Sequence, residues 1–193
     1  MQLSTRYPHL LSAVFSACGL LLMVVQWQFY ILTGSALILS QAILLLTVTV
    51  SLLVIGFTTD EKWQLVVQFF NSFVVLLLCG LSISESYIRW QEGVAPFTAA
   101  ALPVVVLGFG GLVLLSRLLV NAAGNHYSQL EYRLTGLLLP ALSGLMTVVL
   151  MIAHWTGWYW LDSLVASVIA FLIAIGALFF LLDGYWRLDE MKV

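Results

Sequence analysis

The sequence predicts an all-α polytopic membrane protein of six transmembrane helices, and three observations lead there. Of its 193 residues, 62% are hydrophobic and only 8% are charged, whereas a soluble domain carries about 25% charged residues; mean hydropathy is +1.07. The apolar residues fall in six continuous runs, each close to the about 20 residues that a helix needs to cross hydrocarbon. The runs lack the alternation of barrel strands, and backbone groups in lipid must be hydrogen-bonded internally, so helices are required. Six such spans use about 120 positions. Residues 1–193 are therefore expected to form one transmembrane domain with short connections and no soluble C-terminal domain.

The first run, Pro8 to Gln26, is too long for a signal peptide and lacks a small-residue cleavage site before a polar chain. The second, Ile31 to Phe57, carries Ser40, Gln41, Thr47, Thr49 and Ser51. The third, Leu65 to Ile88, closes with Glu85 and Arg89, spaced four apart as a local ion pair on one helix face. The fourth runs from Phe97 to Val120. The fifth, Leu134 to Ala153, holds Thr135, Ser143 and Thr147 together with Gly136 and Pro140. Proline removes its own donor and crowds the carbonyl four residues back, so a kink with a freed Gly136 carbonyl is expected. The sixth, Asp162 to Asp183, ends four residues before Arg187, again a local pair.

Orientation follows from Lys and Arg. Arg6, Lys62, Arg117, Arg133, Arg187 and Lys192 fall on one side and Arg89 alone on the other, which predicts cytoplasmic termini. Aromatic belts agree: Trp27, Tyr30, Tyr87, Trp90, Trp155, Trp158, Tyr159 and Trp160 mark the outer interface, and Trp63, Tyr127, Tyr132, Tyr185 and Trp186 the inner one. Glu92 and Asp162 read as outer helix-end acids.

The formal net charge of −2 leaves no basic footprint for nucleic acid. Cys18 and Cys79 sit inside apolar runs and read as small core residues. His9 and His126 fall on the side opposite His154, so no three-ligand zinc cluster forms within one subunit. No nucleophile with its base and no phosphate-binding loop appears; the chain reads as a non-enzyme without cofactor. Gln41, Thr47, Ser143 and the Gly136 carbonyl could line an interior pathway, or the same polar groups could tie helices together. Gly80 with Ser84, Ser82 with Ser86, and Ala166, Ala170 and Ala174 are small residues four apart, the spacing that lets backbones approach. Helices 3 and 6 are expected to pack together through them, or against another subunit.

Leu32-Thr33-Gly34-Ser35-Ala36-Leu37, at the start of helix 2, resembles the corresponding stretch of the cation diffusion facilitators, the proton-coupled zinc and manganese exporters. Thr156-Gly157-Trp158-Tyr159-Trp160-Leu161-Asp162 is similar to that family's helix 5 to 6 turn, and Gln64 to Asn71 and Glu85 to Arg89 to the ends of its helix 3. The resemblance covers roughly residues 8 to 190 and implies that family's six-helix bundle. It places the metal ligands, a His or Asp followed four residues later by Asp on helices 2 and 5, at Leu44 and Val48 and at Gly136 and Pro140. None of these side chains ligates a metal. The expectation is a family-like accessory or regulatory subunit in a bacterial plasma membrane, as a homodimer or a hetero-oligomer with another membrane protein. The alternative is a transporter with a nonstandard polar site between helices 2 and 5.

Overall fold

The computed structural model describes residues 8–57, 61–93, 96, 98–123 and 134–190. They form six long helices: α1 (Pro8–Thr33), α2 (Ala36–Phe57), α3 (Glu61–Glu92), α4 (Thr98–Ala123), α5 (Leu139–Thr156) and α6 (Trp160–Glu190), with a π-helical turn at Leu134–Leu138 leading into α5. Each holds a stretch long and apolar enough to cross a membrane. The protein is an all-α six-helix membrane bundle.

α2 is its centre. Inside the bundle 67% of its span is buried, against 17–39% for the other five, and it packs against all of them. Its sequence fits that place: α2 carries no charged residue, and its polar side chains Ser40, Gln41 and Thr49 are buried with the apolar ones, so it has no face to give to water.

Glycine sets two of the helix boundaries. Gly34 has φ 70° and its amide donates to the Tyr30 carbonyl at 2.8 Å, a left-handed cap that ends α1. Ile31 to Thr33 therefore belong to α1, although their hydropathy groups them with the second run. Gly157, at φ 73° with its amide donating to the Ala153 carbonyl at 3.0 Å, ends α5 in the same way.

α5 is irregular at its start. The chain is already helical before Pro140, with a π turn over Leu134–Leu138 and helical φ and ψ at Leu138, so the missing amide falls inside a helix and the irregularity stands directly before it. Gly136 lies in that turn, where an added Cβ would come within 2.8 Å of Val120 Cγ2 on α4. Glycine here serves close packing against α4.

α3 and α6 do pack along each other, but not through every residue the spacing suggests. Val75, Cys79, Ser82 and Ser86 of α3 are buried, as are Ala166, Ile169, Ala170 and Ala177 of α6, with Ala174 half-buried. Gly80 and Ser84 face outward: nothing lies within 4 Å of a Cβ built on Gly80, and Ser84 is exposed. Successive residues turn about 100° around a helix, so the Gly80–Ser84 row and the Ser82–Ser86 row are different faces. Cys18 corrects another expectation: it is exposed, one position off the buried Gly19, while Cys79 is in the core.

Exposed tryptophan and tyrosine residues gather near helix ends, while exposed phenylalanines such as Phe73 and Phe171 lie within the spans. Trp27, Trp90, Trp155, Trp158 and Trp160 lie towards the end that carries the α1–α2 and α5–α6 turns, called the turn end below, and Trp63, Tyr185 and Trp186 towards the opposite end. Arg6, His126, Tyr127, Tyr132, Arg133 and Lys192 fall outside the described residues, as do the side chains of His9, Thr135 and Arg187; the expected Asp183–Arg187 pair is among them.

Candidate polar site

Between α1, α2, α4 and α5 the bundle holds a chain of amides. Gln41, fully buried, donates from Nε2 to the Val105 carbonyl at 3.1 Å and to Ser143 Oγ at 2.6 Å. Its Oε1 accepts from Gln26 Nε2 at 2.5 Å. Both donor positions of the Gln41 amide are thereby used. Gly108 of α4 makes room: a Cβ there would collide with Gln26 Nε2 and Gln41 Oε1. This chain unites Gln41 and Ser143, two of the residues expected to line a pathway, and adds Gln26 and Gly108, which hydropathy does not single out.

Thr47 and Gly136 are not part of it. Thr47 Oγ1 donates to the Ile43 carbonyl of its own helix at 2.9 Å. Gly136 packs near Val120 while Gln41 meets Val105, and those α4 positions are about 22 Å apart at 1.5 Å per residue. Ser51 and Thr147 likewise return to their own backbones. Leu44 and Val48 are core residues, both at 0% exposure.

A second cluster lies at the turn end. Asp162, which reads as an outer helix-end acid, is 1% exposed and ties α6 to the start of α2. Its Oδ1 accepts from Ser35 Oγ at 2.7 Å and from the Leu37 amide at 3.4 Å, and its Oδ2 accepts from the Ala36 amide at 2.7 Å. A carboxylate facing free amides at a helix N-terminus is favoured by the helix dipole. Arg89 complements it at the end of α1. It forms the expected pair with Glu85, at 2.8 and 2.9 Å, donates from Nη1 to the Gly34 carbonyl at 2.7 Å, and lies 5.4 Å from the Tyr30 ring centre. An anion thus caps α2 where it begins and a cation caps α1 where it ends, across one turn. A Cβ on Gly34 would collide with Nη1.

A third, smaller junction joins α2, α3 and α6: Ser40 Oγ lies 3.1 Å from Ser82 Oγ and 3.4 Å from the Ala166 carbonyl. Among the described residues no group of three His, Cys, Asp or Glu side chains comes together.

No family model and no curated protein matches the chain. The geometry of these clusters is what bears on function. The amide chain is neutral, buried and bonded across four helices; the turn-end cluster is charged and spent on capping.

Proposed function

We propose that the chain is a non-transporting accessory or regulatory subunit of a membrane assembly, built on the scaffold of a cation exporter whose metal site has been erased. The observation that supports this reading is the chemistry at the four positions the resemblance assigns to metal ligands. Leu44 and Val48 are fully buried apolar residues; Gly136 and Pro140 are half-buried at the mouth of α5. A dehydrated divalent ion there would meet no negative charge to offset its desolvation. In this reading the chain sits in a bacterial plasma membrane with both termini cytoplasmic, and its partner is a second copy or another membrane protein.

A second reading, a transporter with a nonstandard neutral site, is favoured by one feature: Gln26 Oε1 is buried beside Gln41 and accepts no hydrogen bond. Zinc and manganese titrated calorimetrically into the solubilised chain, with uptake of both metals and of rubidium measured in proteoliposomes, separates the two. The accessory reading expects neither stoichiometric metal binding nor uptake above protein-free vesicles. Metal binding with metal uptake overturns it, and rubidium uptake alone selects the second.

A further inference from the structure

α1 docks in an unusual manner. Its buried residues, among those whose side chains are described, are Ser12, Ser16, Gly19, Gln26 and Thr33. None is a large apolar residue. Steps of four, three, seven and seven keep them on one stripe, which runs about 31 Å from Ser12 to Thr33 at 1.5 Å per residue, close to the thickness of a hydrocarbon core. Val14, Leu21, Val24, Ile31 and Leu32 are exposed on the other faces. Lipid gives a helix no hydrophobic reason to leave it, so α1 is held to α2 and α4 by close approach, by polar contact and by the packing of the half-buried Phe15, Leu22, Met23 and Phe29 against the core.

Some of that polarity is unmatched. Ser16 Oγ and Gln26 Oε1 of α1, Thr49 Oγ1 of α2 and Ser116 Oγ of α4 are buried with no hydrogen-bond partner in the bundle. A helical hydroxyl ordinarily returns to the carbonyl four residues back, as Thr47, Ser51, Thr147 and Ser167 do. Ser16, Thr49 and Ser116 do not. The four atoms fall at two depths. Gln26 belongs to the amide chain with Gln41 and Ser143. Thr49 faces Gly19, whose Cβ would collide with Thr49 Oγ1 and lie 3.1 Å from Leu115 Cδ1; Ser16 is one turn from Gly19, and Ser116 follows Leu115. Along α1 the two depths are about 10 to 15 Å apart. Leucines occupy the interval: Leu22 against Gly111, and the fully buried Leu112 beside it on α4.

We propose that the seam between α1 and the α2–α4 pair takes up water at these two levels, one at Gln26 and one around Ser16, Thr49 and Ser116, with Leu22 and Leu112 as a dry layer between them. Hydroxyls and amides both donate and accept, and a buried water needs two to four such partners; lipid tails offer none. The ligand is neutral and small because these donors and acceptors carry no charge and because Gly19 and Gly108 already bring the helices into contact. A narrow apolar layer between two wet levels is the arrangement that gates by dewetting. The inference does not rest on the accessory reading.

Water-edited solid-state NMR on the unmodified chain in lipid bilayers tests it. Magnetisation from water should reach Ser16, Thr49, Ser116 and Gln26 several-fold faster than Leu44 and Leu112. Equal, slow build-up at all six overturns the proposal. Thr49→Val keeps the shape and removes the hydroxyl; it should reduce transfer at Ser16 and leave Gln26 unchanged. Loss at both levels overturns the dry layer, and higher thermal stability with unchanged transfer at Ser16 overturns hydration at Thr49.

Discussion

Gln41 engages three helices besides its own through a single amide: Gln26 of α1, Val105 of α4 and Ser143 of α5. Removing it takes a hydrogen bond from three buried groups and leaves the Gln26 amide and the Ser143 hydroxyl without that partner. An average hydrogen bond between membrane helices contributes about 0.6 kcal/mol, whereas a stranded buried group costs about 1–3 kcal/mol, so the second effect dominates. Gln41→Leu should destabilise the bundle by about 2 kcal/mol, measured by reversible denaturation in detergent. Gln26→Leu in the same background should cost less than it does alone, because its partner is already gone; strictly additive losses would show that the two amides are uncoupled. Gln41 and Ser143 were legible in sequence as polar residues inside apolar runs. Gln26 was not, because it stands where the first run seems to end and reads as a boundary. Asp162 was misread for the same reason: hydropathy marks where a span stops, not whether the residue there turns inward. Thr47 erred in the other direction, since spacing does not separate a hydroxyl that crosses to a neighbour from one that folds back on its own helix.

Among the elements, α3 and α6 carry the sharpest contrast between spacing and face. Small residues four apart occur on two rows of α3, and sequence gives both rows equal standing. Only the row of Ser82 and Ser86 is buried, and Ser82 is bonded to Ser40 of the central helix, which ties the rotation of α3 to α2. Gly80→Ala should therefore be neutral or stabilising by up to about 1 kcal/mol, the gain of replacing glycine in a helix. Ala170→Leu, at 0% exposure, should cost about 1–3 kcal/mol by forcing the backbones apart. Thermal unfolding of the two variants in detergent reads both; a large loss from Gly80→Ala would place that row against a second subunit. The helix count was legible because apolar length is a property of composition. The turns were less so: Gly34 and Ser35 interrupt hydropathy too briefly to move a boundary, and only the left-handed glycine and the Asp162 carboxylate decide it.

For the whole molecule, the six-to-one division of basic residues predicts which end faces the cytoplasm. Cysteines placed at Glu92 and at Lys62 lie near opposite ends of α3, so an impermeant thiol reagent added outside intact cells should label the first and spare the second; the reverse pattern overturns the orientation. The joint between the first two helices also bears on how the chain is made. Gly34 and Ser35 alone connect α1 to α2, and Gln26 and Gln41, bonded to each other, stand at matching depths on either side. During synthesis, Gln26 thus waits only for the very next span before its amide finds a partner. The first two helices can leave the insertion machinery as a closed hairpin, their most water-loving interior side chains facing one another rather than the lipid, before any later helix has been translated.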